Sequence, residues 1–222
     1  MAYILNIETS TKNCSVTIAK NGETVICNEI AEEGYSHAER LHVFIEESLK
    51  EAGIVYKDLS AIAVSKGPGS YTGLRIGVSA AKGLCYALSI PLIAVDTLQI
   101  LAAQASVFDG LIVPMIDARR MEVYSAIFTP ELESKRETQA QIIADNSFEE
   151  LEGLVYFVGD CAEKAQTVLM KENFIFLEEI KYPSANQMSA LSFEKYKIND
   201  TVDVAYFEPF YLKDFMLTTS KK

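Results

Sequence analysis

The chain has 222 residues, of which 49% are hydrophobic and 23% charged, the ordinary composition of a globular protein that can bury its own core. Its 20 Lys and Arg against 31 Asp and Glu give a net charge of −11, which argues against a chain that clamps nucleic acid alone, because such binding needs cations that neutralise phosphates. The four cysteines form no C-x-x-C pair and no apolar run is long enough to span a bilayer, so we expect a cytoplasmic protein without disulfides or a membrane anchor.

The first half of the sequence predicts three strands followed by alternating helices and strands. Asn21 and Gly22 form a dipeptide that favours a two-residue hairpin turn, because both residues tolerate positive φ. Ser36 opens a capping box, and Leu41 and Ile45 then recur at helical spacing. The predicted elements are strands 3–7, 15–20 and 23–30, helix 36–52, strand 59–64, a helix from about 74 to 88, strand 92–95 and helix 98–106.

The second half repeats this order with different residues. Its predicted elements are strands 111–116, 121–128 and 138–144, a short helix 148–151, strand 154–158, helix 162–171, strand 174–177 and helix 185–196. Both halves therefore read βββαβαβα, and no Ser- or Pro-rich linker separates them. We expect two α/β lobes, residues 1–106 and 107–222, that pack closely near residues 100–110, with the C-terminal tail packed back on the first lobe.

A glycine-rich loop, residues 67–73, joins a buried strand to the second long helix. Backbone N–H groups and the helix dipole can hold an anion at such a place. However, Leu74 and Arg75 stand where a phosphate-binding P-loop has Lys and then Ser or Thr. The alternative, which we favour, is that the glycines make a tight turn and let two backbones approach closely.

The two long helices also carry features that suit close packing or a partner. Gly73, Gly77 and Ala81 are spaced by four residues and give the second helix a smooth face. Such a face serves packing within one chain or contact with another. Phe44 is predicted to lie off the apolar stripe of the first helix, where a large ring favours contact with a partner.

Two carboxylates are the candidates for a magnesium or nucleotide site. Glu8 ends the first strand beside hydroxyl groups, and Asp117 occupies the equivalent turn of the second half. Neither turn contains the glycine that close approach to a phosphate normally needs, so we predict no catalytic residue, metal or cofactor and expect Asp117 to pair with Arg119. His37 and His42, the only histidines, lie about 140° apart on a helix and cannot share a metal from it.

Five stretches together carry a resemblance to a known family. They are ILNIETS (4–10), SKGPGSYTGLRIG (65–77), PLIAVDTL (91–98), DARRMEVY (117–124) and EPFYL (208–212). They are distributed along nearly the whole chain and closely resemble the TsaB (YeaZ) family, bacterial proteins of tRNA threonylcarbamoyladenosine biosynthesis. The resemblance implies the duplicated actin, hexokinase and Hsp70-like (ASKHA) fold, in agreement with the doubled βββαβαβα order.

The resemblance also implies a function without catalysis. In that family TsaB is the non-catalytic paralogue of TsaD, which binds metal through a His-x-x-x-His pair and transfers a threonylcarbamoyl group to the tRNA adenosine next to the anticodon. This sequence lacks that pair. The resemblance therefore implies an accessory subunit that binds and activates TsaD, joins the ATPase TsaE in a ternary complex and meets tRNA only through that complex.

The family's dimerisation helices correspond here to residues of about 36–52 and 72–88. The interface residues that this implies are Leu41, Phe44, Ile45, Gly73, Gly77 and Ala81. The same patch can form a homodimer when the protein is alone. The main alternative is an ATP-binding phosphotransferase or ATPase of the same fold, with Glu8 and Asp117 holding magnesium. A peptidase is a third alternative, which no nucleophile-base pattern in the sequence supports.

Overall fold

The computed structural model describes residues 1–31 and 37–212, so Ser36, the first residue of the predicted capping box, lies outside the described residues. Its elements are β1 (Tyr3–Glu8), β2 (Cys14–Lys20), β3 (Glu23–Ile30), α1 (His37–Glu51), β4 (Leu59–Ser65), α2 (Tyr71–Leu88), β5 (Leu92–Val95), α3 (Thr97–Ala102), β6 (Leu111–Asp117), β7 (Glu122–Phe128), β8 (Ser134–Ile142), β9 (Val155–Val158), α4 (Ala162–Gln166), β10 (Phe174–Phe176) and α5 (Ala185–Lys197). Within these ranges, no helix has the length and apolar character needed to cross a membrane.

The first sheet has the strand order β3-β2-β1-β4-β5. Strands β1, β2 and β3 form an antiparallel meander, whereas β4 and β5 run parallel to β1. The predicted hairpin turn is confirmed, because Asn21 and Gly22 both have positive φ, 52° and 90°. Strands β1 and β4 are almost entirely buried, as expected of apolar strands that are covered on both faces.

The second sheet repeats the topology of the first. Its order, β8-β7-β6-β9-β10, is the same sequence of third, second, first, fourth and fifth strands. Strands β6, β7 and β8 again form the antiparallel meander, and β9 and β10 again run parallel to the first strand of the lobe. The predicted duplicated α/β fold of the actin, hexokinase and Hsp70-like class is therefore confirmed.

Local predictions in the second half are less accurate. The helix predicted at 148–151 is wrong: residues 148–150 form a turn, and Phe148 has a φ of 64°, which a right-handed helix does not allow. The ring of Phe148 instead packs 5.4 Å from that of Phe157. Helix α4 ends at Gln166 rather than at residue 171, because β-branched Thr167 and Val168 disfavour its continuation and the chain turns towards β10.

The helices that follow each sheet pack on the opposite sheet. Leu98 and Leu101 of α3 contact the apolar face of the second sheet, where Ile112 of β6 is buried. Ala185 and Met188 of α5 cover the first sheet. The chain after α5 returns to the first sheet as well, with a bridge between Leu92 and Val202. The two sheets are therefore joined by exchanged helices, and the division of the chain at 106 and 107 stays a prediction.

Candidate functional site

A cleft of about 690 Å³ lies between the two lobes. Its walls are the turn after β1, the start of α2, the turn after β6 and the end of the described chain; they contribute, among others, Thr11, Tyr71, Arg119 and Tyr211. The two predicted carboxylates, Glu8 and Asp117, are the last residues of β1 and β6, next to the turns that form the cleft walls. The surroundings of each carboxylate decide whether it can bind a ligand.

The glycines of the loop at 67–73 and of α2 serve close packing of the backbone. A Cβ added at Gly69 would overlap the carbonyl oxygen of Ser10, and one added at Gly73 would overlap that of Thr9. Ser70 N–H donates to the Ser10 carbonyl at 2.6 Å. The turn at the end of β1 therefore occupies the space beside the glycines, and the favoured interpretation of this loop is confirmed.

Glu8 is sealed off from solvent beneath this turn. Its side chain is fully buried, and its Oε1 accepts a hydrogen bond from Ser10 N–H at 2.5 Å. Burial raises the pKa of Glu8 to about 7, although nearby Ser10 and Ser65 favour the charged form. Oε2 has no hydrogen-bond partner. A carboxyl group in this state does not present the exposed charge that a magnesium ligand of the cleft needs.

Asp117 lines the cleft but is held by its own lobe. Its Oδ1 accepts from Lys164 Nζ at 2.6 Å and from the backbone N–H of Arg119 at 3.2 Å. The predicted charged pair with Arg119 is therefore wrong: the counter-ion is Lys164, which also donates to the Arg120 carbonyl at 2.6 Å. In the ranges 1–31 and 37–212, no three His, Cys, Asp or Glu side chains form a group that could hold a metal ion.

The histidines do not supply an obvious base for a nucleophile. A ring nitrogen of His37, Nε2, lies 2.6 Å from the carbonyl oxygen of Thr11. His42 is exposed on α1. The hydrogen bond to Thr11 fixes the start of α1 against the turn after β1, which is a structural role.

The predicted interface residues are buried inside the first lobe of the single chain, and their contact with a partner stays a prediction. Phe44 is only 8% exposed and belongs to the core, which makes its predicted place off the apolar stripe wrong. The other predicted positions are also buried: Leu41, Ile45, Gly73, Gly77 and Ala81. The reason is that α1 and α2 both lie on one face of the first sheet, which buries a wider arc of each helix than the spacing indicates. The exposed side chains of α1 and α2 lie on their outer faces.

One cluster that the sequence analysis missed lies on the outer face of α2. Arg75 is exposed, and its guanidinium carbon lies 4.0 Å from the ring centre of Tyr71. Its Nε donates to the hydroxyl of Tyr211 at 3.3 Å. The spacing of Tyr71 and Arg75 by four residues was a signal for half of this cluster. Tyr211 was not predictable because it is 136 positions away.

Comparison with known proteins agrees with the motifs and the fold. A family model described as TsaD, tRNA N6-adenosine threonylcarbamoyltransferase, matches residues 25–216. The TsaB proteins of Bacillus subtilis and Escherichia coli are 34% and 31% identical to this chain, covering 95% of it and 93% and 94% of their own lengths. The chain belongs to the TsaB family. The YeaZ structure from Pseudomonas aeruginosa superposes on 96% of the chain with a TM-score of 0.85 at 25% identity.

The pairwise match to one transferase sequence covers a smaller part of the chain than the match to the family model does. The tRNA N6-adenosine threonylcarbamoyltransferase of Bacillus subtilis is 43% identical over an alignment of 108 positions that covers 42% of this chain and 31% of the transferase. TsaB of the same organism matches over nearly its full length. The predicted resemblance to the TsaB family is therefore confirmed.

Proposed function

We propose that this chain is the accessory subunit of a tRNA threonylcarbamoyltransferase complex. It binds and activates TsaD as a heterodimer, joins TsaE in a ternary complex and reaches tRNA only through that complex. Membership of the TsaB family, whose members are named for tRNA threonylcarbamoyladenosine biosynthesis, supports the pathway. The observation that carries the accessory role is the closed turn at the end of β1.

The closed turn favours a role in binding over catalysis. Thr9 and Ser10 fill the space beside the glycines that would otherwise be open to a phosphate. Glu8 beneath the turn is fully buried, and Asp117 across the cleft is paired with Lys164. The two carboxylates of the ATP-using alternative thus serve packing and charge balance within the chain.

The proposed partner surface is the outer face of α1 and α2. Val43 on α1 is 40% exposed and Tyr86 on α2 is 84% exposed. Gly83 lies on the same outer side of α2, and a Cβ at this position would meet no atom within 4 Å beyond its own turn of the helix. When TsaD is absent, a second copy of the chain can occupy this surface. The complex with TsaD and TsaE works in the cytoplasm.

Reconstitution of the reaction tests the proposal. Threonylcarbamoyl transfer to tRNA is measured with TsaD and TsaE of the same organism, the enzyme that forms the adenylate, threonine, bicarbonate and ATP, with and without this protein. We expect modification only when the protein is added and none when TsaD is left out. A yield that does not depend on the protein would overturn the proposed function.

The partner surface has its own test at Gly83. Gly83→Trp places a large ring on the outer face of α2 without a clash at its Cβ inside the lobe, so we expect loss of TsaD binding with a melting temperature no lower than that of the wild type. Gly83→Ala is the matched control and should bind as the wild type does. Binding of Gly83→Trp at wild-type affinity would move the partner surface away from this part of α2.

A further inference from the structure

Arg75 is held in one position by two tyrosines from distant parts of the chain. Its guanidinium carbon is 4.0 Å from the centre of the Tyr71 ring, and its Nε donates to the Tyr211 hydroxyl at 3.3 Å. The two rings themselves are 5.0 Å apart and inclined by 41°. An arginine normally loses side-chain freedom when it binds a partner, and here much of that freedom is already lost in the free protein.

The clamped guanidinium has hydrogen-bonding capacity to spare. Arginine has five N–H donors, and Tyr211 takes only the one on Nε. No carboxylate of the described chain lies within 4.0 Å of it; the ion pairs found elsewhere use Lys66, Lys135, Lys164, Lys195 and Lys197. Glu208 acts on Arg75 only at longer range. Arg75 is therefore an exposed, oriented cation without a close counter-ion among residues 1–31 and 37–212, in a chain of net charge −11.

The chemistry of this cluster favours a carboxylate on a protein. A planar guanidinium with free N–H groups binds a carboxylate or a phosphate through two parallel hydrogen bonds. Binding to an RNA backbone usually needs a track of several cations, whereas the groove beside Arg75 adds only Lys82. Lys82 already donates to the carbonyl oxygens of Ala205 and Phe207, at 3.1 and 2.9 Å. A single fixed arginine between tyrosines is instead typical of a protein–protein hot spot.

We propose that Arg75, clamped by Tyr71 and Tyr211, binds a carboxylate of the partner subunit and is a dominant contact of the heterodimer. This inference rests on the proposed function and adds the chemistry of one contact to it. It also gives the segment after α5 a role, because Tyr211 lies beyond the last strand and helix of the described residues yet contacts Arg75 of α2.

The test is the affinity for TsaD, measured by surface plasmon resonance with the full chain. We expect Arg75→Gln to raise the dissociation constant about tenfold or more, mainly through faster dissociation. Arg75→Lys keeps the charge but loses the planar guanidinium, so its dissociation constant should lie between those of the wild type and Arg75→Gln. Tyr211→Phe removes only the hydroxyl and should weaken binding about threefold. The matched control is Arg120→Gln, an exposed arginine of the second lobe, which should bind within twofold of the wild type.

The outcomes separate this inference from the proposed function. Melting temperatures should agree within about 2 °C, because Arg75 is exposed; a loss of affinity that follows a loss of stability in all Arg75 variants would overturn the contact. If the wild type binds and Arg75→Gln binds equally well, only this inference fails. If the wild type does not bind TsaD, both fail. Unchanged TsaD affinity with weaker tRNA binding by the complex would assign Arg75 to RNA phosphate and overturn the carboxylate contact.

Discussion

At the scale of single residues, the side chain of Glu8 is completely buried and its Oε2 atom has no hydrogen-bond partner. A buried carboxyl group without a cation prefers the neutral form, and the pKa of Glu8 rises from 4.5 to about 7. The folded state therefore holds this proton more tightly than the unfolded state does. The resulting stabilisation is complete below pH 4.5 and is lost as the pH rises through 7. The free energy of unfolding falls by at most about 3 kcal/mol over this range.

Glu8→Gln should remove this pH dependence. The amide has nearly the same shape and stays neutral, so we expect the variant to gain free energy of unfolding relative to the wild type at pH 8 and little at pH 5. Urea unfolding at both pH values measures the difference. Exposed Glu47→Gln on α1 controls for the change in net charge. A difference between variant and wild type that is the same at both pH values would show that Glu8 is not the titrating group.

Glu8 also decides the ATP-using alternative. Because this carboxyl group is sealed beneath the turn at Thr9 and Ser10, we expect no micromolar binding of Mg-ATP to the free protein. Isothermal titration calorimetry of the wild type and of Glu8→Ala measures it. Micromolar binding that disappears in Glu8→Ala would favour a phosphotransferase or ATPase instead.

At the scale of elements, α2 has an inner and an outer role. Its inner face approaches β1 so closely that the hydroxyl of Thr9 donates to the carbonyl oxygen of Gly73 at 2.8 Å. Gly77 leaves room for the same hydroxyl. The outer face carries Arg75 and Tyr86, both exposed. The small residues of α2 therefore set the position of the helix, and with it the position of the proposed partner surface.

Alanine at Gly73 should separate these two roles. The new methyl group would overlap the backbone carbonyl of Thr9, so we expect Gly73→Ala to lower the free energy of unfolding by about 2 kcal/mol or more. Gly83→Ala, at an open position of the same helix, should instead raise it by up to about 1 kcal/mol through helix propensity. Chemical denaturation of both variants gives the comparison. Equal effects would mean that α2 does not depend on its contact with the turn.

At the scale of the whole molecule, the sequence predicted what depends on near neighbours. The Asn21-Gly22 turn and both meanders follow from local patterns, and their repetition revealed the duplicated fold. The exposure of Phe44 was predicted wrongly because its burial depends on how α1 and α2 pack together on one face of the first sheet. The pairing of Asp117 with Lys164 spans 47 positions, and no spacing rule reaches that far. Distant contacts of this kind decide whether a predicted site residue is open or closed.

The exchanged helices should make the two lobes unfold together. Met188 of α5 is fully buried against the first sheet, although α5 follows the second sheet in the chain. We expect Met188→Ala to lower the free energy of unfolding by about 2 to 5 kcal/mol and to weaken hydrogen-exchange protection in both sheets equally. Met170→Ala, at a methionine that is 81% exposed, is the matched control and should change neither. Protection lost only in the first sheet would mean that the lobes unfold separately, and the exchange of α3 and α5 would then not couple them.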